Sequence, residues 1–220
     1  MFRKIRAIDK KAILGKLFGT GFFHVFGSNV INYILAFFSS VFVIAIVSKS
    51  EYGVYSTALN RLSFFCLLSA LGLISGVLQI GSENAADRQA NLEAYRFGAS
   101  RGMAFNLILG VIIFIASLIM PEKIHGSNHY LTMLSFIPFV ECINEFQKAY
   151  FRSTLDNKSF AYINTAGSVL VVACSVTGAF AGGIPGLITG RYAASLLTTA
   201  IGVLIFKAPL IFRSGRYEKE

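Results

Sequence analysis

The chain has 220 residues, is 55% hydrophobic and only 14% charged, and carries 21 Phe and no Trp. Soluble domains carry about a quarter charged residues, so this composition excludes an ordinary soluble fold and marks a membrane protein. A net charge of +9 would suggest nucleic acid as a partner in a soluble protein, but in a membrane chain the basic residues first set topology, and no nucleic-acid partner is expected.

The first 21 residues place Phe2, Ile5, Ile13, Leu17 and Phe18 among six Lys or Arg. They read as an amphipathic segment lying in the interface with its basic face toward anionic headgroups. A signal peptide is the competing reading, but the apolar run that follows is too long for one and no small-x-small cleavage site succeeds it. Windows of about 20 apolar residues then predict six spans, at 22–47, 54–80, 102–120, 131–151, 160–181 and 186–206. The fourth is interrupted by Pro138, Glu141, Asn144 and Glu145.

Counted along this frame, the N-terminal segment, the 81–101 loop, the 148–158 loop and the tail from Lys207 hold six, three, three and four Lys or Arg. The opposite loops hold only Lys49 and Lys123. Sixteen against two is a positive-inside pattern that puts both termini, and the 207–220 tail, in the cytoplasm.

Small residues recur every four positions at Gly98, Gly102, Asn106 and Gly110, and from Gly182 through Gly186, Gly190, Ala194 and Thr198 to Gly202. Each set forms one stripe on which helices can approach closely. The run Gly182-Gly183-Ile184-Pro185-Gly186 predicts a tight external turn, with Pro185 near a helix start where its missing N–H costs little.

No Ser-His-Asp arrangement, P-loop or metal-ligand spacing is present. Cys66, Cys142 and Cys174 sit in apolar segments without C-x-x-C spacing, so neither a metal nor a cofactor is expected, nor an enzyme. Function must then rest on charges inside the spans, where an arginine or carboxylate costs roughly 2.5–3.5 kcal/mol on insertion scales. Arg61 and Arg191 each lie roughly 8–10 Å in from the external side, at 1.5 Å per residue. Two guanidinium forks at similar depth suit a pyrophosphate; the plainer reading is that each snorkels outward or pairs with Glu141 or a carbonyl. Glu141, Glu145, Lys148 and Arg152 share one face of the fourth helix, as ion pairs or as a coupling site centred on Glu141 near a kink at Pro138. Asn29, Asn32, Ser39 and Ser40 give the first span a polar side, and Asn32 and Asn60 join Glu141 and Glu145 as candidate cavity residues.

The stretch Ser48–Gly76 contains S-E-Y-G-V-Y-S, Ser50 to Ser56, followed by Leu71-Gly72-Leu73. It resembles the opening helices of the polysaccharide-export flippases, the MATE-like proteins that move lipid-linked oligosaccharides across the bacterial inner membrane. The basic segment 148–164 and G-G-I-P-G-L-I-T-G, Gly182 to Gly190, resemble that family's loop between spans four and five and its turn into span six. The resemblance implies an all-α membrane protein, one six-helix lobe of a two-lobed transporter working by alternating access. It also implies a cavity with Arg61 and Arg191 as cations facing the lipid pyrophosphate. With six spans where the family has twelve or more, the chain is expected to act with a second copy or a separate second-lobe protein, or to be a truncated product. The functions left open are translocation of lipid-linked oligosaccharide for O-antigen, capsule or exopolysaccharide synthesis, a non-transporting scaffold or inactive remnant, and a small-cation or drug exporter of the multidrug branch.

Overall fold

The computed structural model describes residues 22–83, 87–122 and 124–209. The expected interfacial segment and most of the tail lie outside these residues. The described residues are helical throughout, without strands: α1 Phe22–Ile46, α2 Lys49–Cys66, a short 3-10 turn Ser69–Gly72, α3 Leu73–Glu83, α4 Arg88–Ile119, α5 Ser127–Leu134, α6 Ile137–Ser153 and α7 Asn157–Leu204.

Local chemistry fixes where these helices start. Ser48 and Glu51 form a capping box, the Ser48 hydroxyl accepting from the Glu51 N–H at 3.2 Å and donating to its carboxylate at 2.9 Å. This box starts α2 at Lys49, so residues 49–53, which fall between the first two expected spans, instead form the first turn of the helix. Asp87 caps α4 by accepting from Gln89 and Ala90. The loop expected over 81–101 is thereby reduced, because α3 runs to Glu83 and α4 already begins at Arg88. Asp156 caps α7 through the Ser159 N–H, which leaves only Thr154–Asp156 between α6 and α7 and places Lys148 and Arg152 on a helix rather than in a loop.

Two expected continuous spans are broken. Between α2 and α3 the chain passes through Ala70, Leu71 and Gly72, all at positive φ of 52°, 46° and 76°. Between α5 and α6 the helix ends at Ser135, and Pro138 sits in the first turn of α6, where its missing N–H is no loss. Asn106 of α4, fully buried, serves both breaks. Its side-chain oxygen accepts from the Ala70 N–H at 3.1 Å, and its amide donates to Ser69 at 3.1 Å and to the Pro138 carbonyl at 3.4 Å. On the same stripe, Gly102 lies under the Phe146 ring, which a Cβ there would meet at 2.5 Å.

The 48-residue α7 reverses direction at Gly182 and Gly183, where the backbone leaves helical geometry. Its arms run back antiparallel: Gly186 meets the Gly178 backbone, Gly190 meets that of Cys174, and Thr198 packs on Gly167. The small-residue stripe of the sixth expected span is thus consumed inside the chain, as close helix packing. The expected turn at Gly182–Gly186 is present, with Pro185 just past the reversal.

The buried apolar residues form two clusters. One gathers Val43, Tyr55, Leu62, Leu109, Leu131 and Ile188, and the other Val77, Tyr95, Ala99, Phe146, Phe151 and Ile163. Outward faces are strongly apolar, as at Tyr33, Phe37, Leu118, Phe180 and Leu204. Among the described residues four helical stretches are long and apolar enough to cross a membrane: Val25–Ile46, Lys49–Glu83, Arg88–Ile119 and Asn157–Leu204. The chain is an all-helical membrane protein. The fourth expected span is not among these stretches, since it is broken into α5, of 8 residues, and α6, of 17, each too short to qualify.

Two predictions follow from these contacts. Asn106→Leu removes the partner of the Ala70 N–H, worth about 1–3 kcal/mol when left unsatisfied, and the contact that ties α4 to the start of α6 at Pro138. It should lower thermal stability in detergent far more than Ser69→Ala; equal shifts would show that Asn106 does not hold the two breaks. Gly186→Ala forces a methyl against the Gly178 backbone and should cost about 1–3 kcal/mol, whereas Gly182→Ala, in open space at φ −152°, should leave the melting temperature unchanged.

Candidate functional site

A cavity of about 620 Å³ lies between α1, α2, α6 and the two arms of α7. The wall from α1 is Asn32, Ala36, Ser39, Ser40 and Val43, one stripe of that helix; α2 contributes Tyr52, Tyr55 and Leu59. From α6 come Glu141, Asn144, Glu145 and Lys148, spaced so that they share one face. The first arm of α7 adds Asn164, Ser168 and Ser175, and the second Arg191, Ser195 and Thr198. A smaller cavity of about 300 Å³ shares Glu145, Lys148 and Asn164 with it and adds Asn29, Ser75 and Arg152. Together they follow the length of α6.

Each charge in the larger cavity has a partner. Arg191 Nη2 donates to Glu141 Oε1 at 2.8 Å, the carboxylate remaining 42% exposed to the cavity, and Tyr55 lies against the same guanidinium. Lys148 Nζ donates to Glu145 Oε1 at 2.6 Å. Pairing lowers the cost of holding these groups in an apolar surrounding, and losing one partner would strand the other. Around them α6 is tied to the second arm of α7: Asn144 donates to the Ser195 carbonyl at 3.2 Å and accepts from Thr199 at 2.8 Å, while Gln147 donates to the Thr199 carbonyl at 3.3 Å.

Two cavity-wall atoms lack a partner, Asn32 Oδ1 and Ser175 Oγ. Ser175 is 4% exposed, so its hydroxyl is an unsatisfied buried group that costs about 1–3 kcal/mol until something bonds it. Asn29, by contrast, is engaged, accepting from Asn164 at 3.2 Å. The polar side expected of the first span therefore divides, Asn29 joining α1 to α7 and Asn32, Ser39 and Ser40 facing the cavity.

Arg61, expected beside Arg191, is not among the lining residues. Its Nη1 donates to Asn128 Oδ1 at 2.5 Å and its Nη2 to the Pro121 carbonyl at 3.5 Å. Asn128 in turn donates from its side chain to the Met120 carbonyl at 2.8 Å and from its backbone to Glu122 at 3.1 Å. Arg61 thus fastens α2 to the connection between α4 and α5, and the two arginines do not form a common cradle. That bond from the Asn128 amide is the main influence holding the Glu122 carboxyl below its ordinary value; desolvation opposes it, and the Gly126 amide, His125 and Arg61 add to it. Glu122 therefore stays ionised further into acid than a free glutamate. Asn60 lies on an exposed side of α2, also outside the lining. Among the described residues no cluster of His, Cys, Asp or Glu has a metal-binding arrangement.

What sequence reading did not single out is the role of Tyr52, Tyr55, Ser168, Ser175 and Ser195. The available signal was weak, since serines and tyrosines in apolar helices serve packing as often as cavities. Only the pairing of α1 with the first arm of α7, through Asn164 and Ser28, turns them toward one space.

Comparison with known proteins agrees with this architecture. A family model described as polysaccharide biosynthesis protein matches residues 42–217, from the end of α1 through both arms of α7. No curated protein and no solved structure gives a significant match. A match over most of the chain, on a helical membrane fold with charged side chains gathered in one cavity, settles the assignment: the chain belongs to the polysaccharide biosynthesis protein family.

Proposed function

We propose that the chain translocates lipid-linked oligosaccharide precursors across the bacterial inner membrane, with the cavity between α1, α2, α6 and α7 as the pathway for the headgroup. The observation that carries this reading is the cavity itself, about 620 Å³ with two ion pairs and several serines and asparagines on an otherwise largely apolar wall, in a protein whose outer faces are apolar. Charges at such depth persist where they face protein, water or substrate, and a scaffold has no use for such a space. A cation exporter would call for unpaired acids, whereas Glu141 and Glu145 are each matched by a base.

In this reading α5 and α6 together make the remaining crossing, giving six passes with both termini cytoplasmic. The smaller cavity then lies at the cytoplasmic end of α6. There Arg152, whose guanidinium sits 5.5 Å from the Phe160 ring centre, and Lys148 meet the pyrophosphate of an arriving lipid. A second six-helix unit, from another copy or another chain, covers the open side of the cavity, since polar side chains facing acyl chains are unfavourable. Alternating access proceeds by movement of one unit against the other.

Reporter fusions at Tyr130 and after Phe206 should lie on opposite sides of the membrane; the same side for both would refute the topology. Bulky residues placed at Ser39 and Ser168, which face the cavity from α1 and α7, should reduce translocation of a lipid-linked oligosaccharide in proteoliposomes by about tenfold or more while leaving folded protein unchanged. Undiminished translocation with the cavity filled would remove it as the pathway. Arg61→Gln should instead lower the amount of folded protein, with translocation per folded molecule retained.

A further inference from the structure

The larger cavity holds four charged side chains, Glu141, Glu145, Lys148 and Arg191, and they cancel as two close pairs at 2.8 and 2.6 Å. A second copy of the chain would bring the same balance. The cavity therefore presents no surplus positive charge to an anion. What it does present is acceptors: the Glu141 and Glu145 side chains are 42% and 50% exposed. Such acceptors call for a ligand that donates hydrogen bonds. A hydroxyl donates and accepts, but an ionised carboxylate only accepts, and would face the two glutamates as a like charge. Tyr52 and Tyr55 supply aromatic faces on the α2 side, suited to the apolar face of a sugar ring.

We propose that this cavity selects uncharged, hydroxyl-rich glycans and discriminates against glycans bearing acidic sugars, with the two glutamates reading the hydroxyls. The proposal rests on the lipid-linked oligosaccharide reading above and narrows its substrate class. The pyrophosphate, common to every such substrate, stays outside the selection, at the end of the cavity marked by Lys148 and Arg152.

The test is equilibrium binding of the full chain in lipid nanodiscs to two isoprenyl-pyrophosphoryl disaccharides that differ only at carbon 6 of the terminal sugar, glucosyl against glucuronosyl. The glucosyl lipid should bind about tenfold or more tightly than the glucuronosyl lipid. Glu141→Gln frees the Arg191 charge and should reduce that ratio severalfold; Glu141→Gln combined with Arg191→Gln restores neutrality and should restore the ratio. Equal affinities, or tighter binding of the glucuronosyl lipid, would overturn charge selection while leaving the lipid-linked oligosaccharide reading standing. Failure to bind either lipid would overturn both. Where Glu141→Gln does not fold, the ratio for the unaltered chain decides.

Discussion

Backbone amides and carbonyls inside an apolar medium must find partners within the protein, and the structure turns on how one side chain meets that demand. The chain breaks α2 from α3 and α5 from α6, and Asn106 bonds to the freed Ala70 N–H at the first break and to the Pro138 carbonyl beside the second. Irregular backbone at membrane depth is tolerated only where protein or a polar cavity satisfies it. Because Asn106 holds the Pro138 carbonyl, it fixes the start of α6, and one turn later Glu141 meets Arg191 across the cavity. The same node separates the two apolar clusters, one packed around Leu131 and Ile188 and the other around Phe146 and Ile163.

The hairpin of α7 supplies the second requirement. Its arms touch backbone to backbone at Gly178 and Gly186 and stay close through Thr198 and Gly167. That close approach lets one arm place Asn164, Ser168 and Ser175 on the cavity wall while the other places Arg191, Ser195 and Thr198 there. α1 then leans on the first arm through the Asn164 amide and closes a further side. Small residues are thus the means by which polar ones from distant positions come to share a space.

The charges inside the helices separate into two classes by what they touch. Arg61 bonds to Asn128 and the Pro121 carbonyl and serves as a fastening between α2 and the α4–α5 connection. Arg191, Glu141, Glu145 and Lys148 are held as pairs on the cavity wall, which reduces the cost of keeping them there and leaves the cavity electrically balanced.

Much of this was legible in the sequence. Composition and apolar windows determined a helical membrane protein, because spans must be long and apolar whatever they pack against. The Ser50-to-Ser56 motif carried the family, the four-residue glycine spacing carried the close packing, and the steps of four and three from Glu141 to Arg152 carried a charged helix face. Helix breaks were not legible at Ala70 and Leu71, neither of which is a breaker, since their positive φ is maintained by Asn106 from another helix. Nor was the separation of Arg61 from Arg191: depth along a helix can be counted from sequence, but the direction in which a side chain points depends on helix rotation. That rotation is set by packing between residues 50 or more positions apart, as between Glu141 and Arg191 or Asn144 and Thr199, and only the tertiary structure decides it.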